Sequence, residues 1–88
     1  MGVKSRVGQY VYEKSNRKNK KLMTKVEVDG KTKTIHFGDS RYQHYKDKTG
    51  IWSKLDHNDK VRRKNYHMRH GDSNDPKTAK YHANRILW

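Results

Sequence analysis

The sequence predicts a small α+β domain, in which a β-hairpin sheet is packed by one longer and one short C-terminal helix. The first observation is a pair of alternating segments that flank Asp29-Gly30, a dipeptide typical of two-residue hairpin turns. The second is a segment with helix-capping residues ahead of it and Gly71 directly after it. The third is the aromatic content, because six Tyr, two Trp and one Phe supply a thin core for a chain that is 35% charged.

Eighty-eight residues are enough for one small domain. Residues 1–21 are predicted to form a basic N-terminal arm, because five of the eight residues from Lys14 to Lys21 are Lys or Arg and none is apolar. Within this arm, Val7 to Tyr12 alternates loosely and carries β-forming residues, so a short strand there would extend the sheet to three strands. Residues 22–88 are predicted to form the single α+β domain.

The hairpin has a register that its turn specifies. With Asp29-Gly30 as the turn, Val26 lies opposite Lys33 and Leu22 lies opposite Phe37. This pairing collects the apolar side chains on one face, and a one-residue slip would expose them all. A lone hairpin is marginal in water, so the later helices are expected to cover that face. The apolar set is Leu22, Val26, Val28, Ile35 and Phe37.

Two helices are predicted in the second half of the chain. The longer one is capped by Asp56 or Asn58, runs to about His70 and is ended by Gly71 in the left-handed conformation. The shorter one covers residues 78–87 and docks through its alanine and aliphatic side chains. In the loop ahead of the helices, three isolated apolar residues are expected to pack into the core, namely Ile51, Trp52 and Leu55.

The net charge of +13, with a pI near 10.1, indicates an anionic partner, because self-repulsion on this scale strains a compact chain. Nucleic acid is the commonest such partner, and an acidic protein surface is the alternative. No membrane association is expected, since no segment approaches the roughly 18 apolar residues of a membrane span. The segment Met1 to Arg6 lacks the apolar run of a signal peptide, and the absence of cysteine excludes disulfides and thiolate metal sites.

Basic and aromatic residues are interleaved in the second half of the chain. Aromatic rings beside phosphate-neutralising cations are how single strands are bound without base readout, and Arg also inserts into duplex grooves. Each tyrosine has an alternative role in the core, and the segment from Lys14 to Lys21 is either a solvated loop or a phosphate-tracking arm. The candidate nucleic-acid contacts are Lys14, Arg17, Lys18, Lys20, Lys21, Arg41, Tyr42, Arg62, Arg63, Lys64, Tyr66 and Arg69.

Six histidines raise the question of a metal site. His67 and His70 share one side of the predicted helix, but tetrahedral zinc needs further ligands. We therefore predict no metal or other cofactor, and expect the histidines at the surface beside Arg and Tyr. The triplet Asp56-His57-Asn58 is the basis of a third hypothesis, a metal-dependent nuclease. Because no catalytic constellation is recognisable, we predict a protein that is not an enzyme.

Three blocks occur in order at residues 34–42, 59–70 and 83–88. They contain Ile-His-Phe-Gly, then Arg-Arg-x-x-Tyr-x-x-Arg-His, and finally Leu-Trp. Together they resemble a family of small uncharacterised basic proteins encoded by large DNA viruses of algae and protists and by tailed phages. The similarity covers roughly residues 25–88, and the closing block departs from it at Lys80-Tyr81-His82, where the family often carries an extra Trp or Ser.

The resemblance implies a viral protein that acts in the interior of the host cell, in cytoplasm or nucleus, or in the virion. It also implies an alternative function. Small basic viral proteins are often minor capsid or internal proteins, and such a protein would use the same charge to bind acidic capsid proteins.

Overall fold

The computed structural model describes residues 4–88 and has the α+β class that the sequence predicts. Its sheet has four strands, β1 (Lys4–Val7), β2 (Tyr10–Lys14), β3 (Lys20–Val28) and β4 (Lys31–Asp39). The strands follow one another in the order β1-β2-β3-β4, and every neighbouring pair is antiparallel. The sheet exceeds the predicted two or three strands because the N-terminal segment folds back on itself and forms two strands.

The central hairpin has the predicted register. Val26 pairs with Lys33 and Leu22 pairs with Phe37 across β3 and β4. Asp29 and Gly30 both have positive φ, 53° and 78°, which is the backbone that a two-residue turn of this kind requires. Turn chemistry and facial pattern therefore specify the same pairing.

The N-terminal segment belongs to this sheet and is not a separate basic arm. β2 pairs with β3, where Tyr12 lies opposite Thr24. The Tyr12 side chain is fully buried in the core, and a ring of this size is among the largest contributors to burial in so small a domain. The predicted boundary between residues 21 and 22 falls inside β3, and residues 1–3 of the predicted arm lie outside the described residues.

Both predicted helices are present, as α1 (Lys60–His70) and α2 (Ala79–Ile86), and a single 3₁₀ turn at Ser53–Leu55 precedes them. The N-cap of α1 is Asp59, not Asp56 or Asn58. Its carboxylate accepts from the amides one and two residues into the helix at 2.9 and 3.2 Å. Gly71 ends α1 at the predicted position, but its φ of 68° and ψ of −173° are not those of the left-handed helical conformation that the sequence predicts. No helix in the described part of the chain is long and apolar enough to cross a membrane.

The core lies between the sheet and α2. Ile86 and Leu87, at the end of α2, are buried against Tyr12, Leu22 and Phe37. Among residues 4–88, α2 is the helix that packs closely against the sheet, through β4, whereas α1 does not cover it. The expectation that both helices cover the hairpin is therefore wrong for the longer one. The predicted apolar residues of the loop, Ile51 and Trp52, also pack against this core, and Leu55 is half-buried.

Two histidines lie in the interior, which corrects the expectation that the histidines are at the surface. His82 is fully buried and shares a 2.8 Å hydrogen bond between its Nδ1 and the Tyr12 hydroxyl. Its Nε2 donates to the Pro76 carbonyl at 2.7 Å, so Nδ1 is the acceptor from Tyr12. Burial lowers the pKa of His82, which keeps this ring neutral. His44 is the second buried histidine.

Candidate nucleic-acid interface

Helix α1 is displayed at the surface. None of its residues is buried, and the side chains of Val61 and Met68 are 67% and 74% exposed. Val61 and Met68 form the apolar stripe that the sequence places on this helix, but the stripe faces solvent and not the core. The helix is therefore held by something other than an apolar face.

Trp88 attaches α1 to the rest of the domain. The rings of Tyr66 and Trp88 stack in parallel, with centroids 4.3 Å apart and an interplanar angle of 3°. Arg63 Nε and His67 Nε2 donate to the Trp88 backbone oxygen at 2.7 and 3.2 Å. The Arg63 guanidinium also lies 4.9 Å from the centre of the Tyr45 ring. Two candidate residues, Arg63 and Tyr66, thus attach the helix to the rest of the domain.

A cleft of about 600 Å³, here called the α1 cleft, separates α1 from the chain that leaves β4. Arg62, Tyr66 and Arg69 line it from the helix, and Tyr42 and Gln43 line it from the opposite side. Arg62 reaches across and donates to the Gln43 side-chain oxygen at 3.1 Å. The rest of the lining includes the buried Leu87 and the buried Lys21, together with Gly38, Ala83 and Trp88.

Among residues 4–88, no Asp or Glu side chain forms an ion pair with a Lys or Arg of α1. Lys60, Arg62, Lys64 and Arg69 make no ion pair there, and Arg63 bonds only a backbone oxygen. Their charge is therefore not cancelled by the protein itself. Since the helix also has no acidic residue, its exposed side presents positive charge along about three turns.

The cleft does contain a carboxylate, Asp39, but Arg41 neutralises it. Arg41 Nε and one terminal nitrogen donate to the two oxygens of Asp39 at 3.0 and 2.8 Å. The side-chain hydrogen bonds from Arg41 lower the pKa of Asp39 to about 2, and the same contact raises the pKa of Arg41. The candidate contact Arg41 is thus already paired, and its role is to fix the turn that carries Tyr42.

The basic residues between β2 and β3 reach the same side of the molecule. Ser40 N donates to the Asn19 carbonyl at 3.2 Å, which places this connection beside the wall that carries Tyr42. Lys20 pairs with Asp39 across the ends of β3 and β4. Four of the five candidate residues of this segment are exposed, namely Lys14, Arg17, Lys18 and Lys20, and the Lys14 ammonium lies 5.0 Å above the Trp52 ring.

Lys21 is the exception, because its side chain is only 2% exposed. Its ammonium donates to His44 Nδ1 at 2.8 Å, and His44 Nε2 then donates to Asp56 Oδ1 at 2.6 Å. Burial lowers the pKa of Lys21 to about 8, although the carboxylates of Asp39, Asp47 and Asp56 oppose that shift. Burial, with the neighbouring Lys21 charge, also lowers the pKa of His44. We call these three residues the Lys21 relay.

The Lys21 relay was not predicted from the sequence. Strand alternation puts Lys21 on the face opposite Leu22, which gives no sign of burial. The one local signal is Gly38, whose α-carbon lies beside the Lys21 side chain and leaves room for it. A buried, hydrogen-bonded ammonium of this kind ties the loop that carries His44 and Asp56 to the sheet, although Lys21 also lines the α1 cleft.

The remaining histidines do not converge on a common point. In the described part of the chain, no group of three or more His, Cys, Asp or Glu side chains is placed to hold a metal ion. His57, from the triplet behind the nuclease hypothesis, accepts a hydrogen bond from Asp59 N at 2.9 Å and lies 5.4 Å from the Trp88 ring. Burial lowers the pKa of His57. Its neighbours are those of a residue that supports the start of α1.

Searches of protein-family models, curated proteins and solved structures find no match to this chain. The arguments for function therefore come from the geometry and charge of α1 and its cleft.

Proposed function

We propose that this protein is a non-enzymatic nucleic-acid-binding protein and that α1, with the α1 cleft beside it, is its contact surface. The observation that supports this most directly is the set of cations on α1 that have no acidic partner among the described residues. Two of them, Arg62 and Arg69, line the same cleft as the rings of Tyr42 and Tyr66. Cations next to aromatic rings suit a ligand that has both phosphates and bases.

The candidate residues divide into three groups by their contacts. Arg62, Lys64 and Arg69, together with Lys60, are available to phosphates, and Tyr42 and Tyr66 supply ring surface. Arg41 and Arg63 are committed to positioning Tyr42 and α1. The exposed basic residues from Lys14 to Lys20 form an auxiliary contact beside the cleft, and Lys21 lines the cleft with its ammonium bonded to His44.

The driving force for binding is the release of counterions from the nucleic acid. Each phosphate neutralised by Lys or Arg releases condensed cations, so the affinity falls linearly on a log–log plot against salt concentration. A slope of about −0.9 per phosphate is expected for duplex DNA and about −0.7 for single strands. With a net charge of +13, the protein also gains from relief of its own repulsion.

A salt titration with matched charge variants tests the proposal. In Arg62→Gln/Arg69→Gln, we expect weaker binding to random-sequence oligonucleotides and a salt slope that is smaller by about 1.4 for single strands. The control is Lys31→Gln/Lys33→Gln, which removes two exposed charges at the far end of the hairpin. The control should change the slope little. Equal effects of the two variants would show that charge alone matters and not this surface.

A second candidate is a viral structural protein that binds acidic capsid proteins, as the family resemblance implies. The observation that favours it is the exposure of Val61 and Met68 beside the cations of α1, because apolar side chains are typical of protein docking surfaces. No measurable nucleic-acid binding near 100 mM salt would favour this candidate. Its own test is the detection of stoichiometric copies in purified virions.

Metal-dependent cleavage of the oligonucleotides would contradict the non-enzymatic part of the first proposal.

A further inference from the structure

The α1 cleft is lined by ring surfaces as well as by charge. Tyr42 stands on one side, and Tyr66 and Trp88 stand on the other, with Arg62 and Arg69 on the helix at either end. These two arginines are seven residues apart, which is about 10 Å along the helix axis. The arrangement puts apolar ring surface in the middle of the cleft and positive charge at its two ends.

Tyr42 is held in place although its side chain is 65% exposed. Its amide donates to the Asp39 carbonyl at 3.1 Å, and the Arg41 amide donates to the Asp39 carboxylate at 2.9 Å. Within the described residues its hydroxyl makes no hydrogen bond, and the ring is not part of the core. The Arg41 guanidinium lies 5.7 Å from the centre of the Tyr42 ring, so a ligand would stack on the opposite face of that ring. The backbone at Tyr42 is already ordered, which lowers the entropy lost on binding.

The opposite wall is equally fixed. Tyr66 is stacked on Trp88, and Arg63 and His67 lock that pair through the Trp88 backbone oxygen. The Tyr66 ring also has the His70 ring at 4.5 Å, so much of its surface is already occupied and the exposed ring of the cleft is Tyr42. In a duplex, each base is already stacked on its neighbours, so its ring faces are not free to enter such a space. An unpaired base in a single strand has both faces free.

We propose that the α1 cleft takes one unpaired nucleobase, stacked on Tyr42, while Arg62 and Arg69 contact the phosphates on either side of it. The ligand class is then single-stranded nucleic acid, not duplex. This inference rests on the proposed function, and it adds which form of nucleic acid is bound and which ring reads it. The binding is tolerant of sequence because every base has a π face.

The test compares three ligands of the same length by fluorescence anisotropy at one salt concentration. They are a labelled single-stranded oligothymidylate, the same strand in a duplex, and the same strand with abasic positions. We expect the single strand to bind most tightly and the abasic strand to lose affinity although its phosphates are unchanged. Tyr42→Leu should weaken single-strand binding by about 10-fold, because stacking on one base is worth about 1–3 kcal/mol. Duplex binding should be unaffected by this variant.

Tyr42→Phe is the matched control, since it keeps the ring and should bind the single strand as the unchanged protein does. Thermal melting of both variants checks that the fold is intact. Equal affinity for single strand and duplex, or a Tyr42→Leu variant that binds single strands normally, would overturn this inference and leave the proposed function standing. Absence of binding to all three ligands would overturn both.

Discussion

Lys21 is a charged side chain buried in the interior of the protein. A buried ammonium is costly unless it is hydrogen-bonded and paired, and here the His44 ring passes the interaction on to the Asp56 carboxylate. Asp56 also accepts from the Asp47 amide at 2.8 Å, so the carboxylate orders the loop as well as the histidine. The Lys21 relay therefore attaches the loop that contains His44 and Asp56 to β3 through hydrogen bonds and not through apolar packing.

The lowered pKa of Lys21 predicts a pH dependence of stability. The folded protein gives up the Lys21 proton near pH 8, whereas the unfolded chain keeps it to about pH 10.5. Between these values the unfolded state binds more protons, so the free energy of unfolding should rise with pH. The rise from Lys21 amounts to about 3 kcal/mol at most, at 1.36 kcal/mol for each pKa unit.

The measurement is urea unfolding at several pH values between 7 and 10, with Lys21→Met as the reference. Other lysines and tyrosines titrate in both proteins, so the difference between the two profiles isolates Lys21. The unchanged protein should gain stability relative to Lys21→Met as the pH rises through 8. Parallel profiles would contradict the assignment of a buried, weakly basic ammonium.

Gly38 offers a second test at the residue scale. A Cβ placed there would lie 2.8 Å from Leu87 Cδ1 and 3.1 Å from Lys21 Cβ, and φ is +77°. Gly50 has the same φ and no neighbour within 4 Å, so it is a matched control. Both alanine variants incur the strain of a left-handed backbone, and Gly38→Ala should cost about 1–3 kcal/mol more because of crowding. Equal losses in thermal or urea unfolding would show that the contact with Leu87 relaxes freely.

The polar interior was beyond the reach of the sequence. Lys21 and His44 are 23 residues apart, and Tyr12 and His82 are 70 residues apart. No local pattern links such pairs, and their residue types are the ones that composition places at the surface. Burial of a polar side chain depends on a partner that only the tertiary fold supplies, so the expectation of surface histidines was wrong for His44 and His82.

At the scale of elements, local chemistry was sufficient for the central hairpin and for the end of α1, but not for the number of strands or the N-cap of α1. The register of the β3–β4 hairpin follows from Asp29-Gly30 and the alternation around it. The end of α1 also follows from Gly71, and α2 lies within the range 78–87 that its apolar side predicts. The packing of α1 could not be predicted, because an apolar stripe of Val61 and Met68 suggests an inward face. In the structure the helix is attached through Tyr66, which stacks on a ring 22 positions later in the chain.

The attachment of α1 through Trp88 predicts that this helix can be released without loss of the sheet. In Trp88→Ala, amide hydrogen exchange should show nearly complete loss of protection over Lys60–His70, while β3 and β4 lose only as much protection as the fall in the global free energy of unfolding requires. We expect a loss of about 2–4 kcal/mol in unfolding free energy, since Trp-to-Ala changes in cores cost about 3–5 kcal/mol and Trp88 is only half-buried.

Trp88→Phe is the control, because a smaller ring keeps part of the stack on Tyr66 and should retain most of the protection. If α1 and the sheet lose protection together in Trp88→Ala, the helix and the core form one cooperative unit. That result would contradict the prediction that α1 can be released while the sheet stays folded.

At the scale of the whole molecule, total charge was predictable and its placement was not. In the described part of the chain, only three Lys or Arg side chains form ion pairs with carboxylates, namely Lys4, Arg41 and Lys77. Of the residues that the sequence indicated, Tyr42, Arg62, Tyr66 and Arg69 meet at the α1 cleft. Other indicated residues are less available to a ligand, because Arg41 and Arg63 are bonded to groups of the protein itself and Lys21 is buried. The basic segment near the N-terminus lies between two strands and is not a free arm.

The attachment of α1 to Trp88 also has a consequence for biosynthesis. The ribosome adds residues in order, so the sheet, complete at Asp39, is made well before the tryptophan that supports the helix. A nascent polypeptide cannot assemble the cleft until that late residue has emerged. A copy that stops before α2 would lack Ile86 and Leu87 and so part of the core under the sheet, whereas a copy that lacks only Trp88 would keep that core and lose the ring on which Tyr66 stacks.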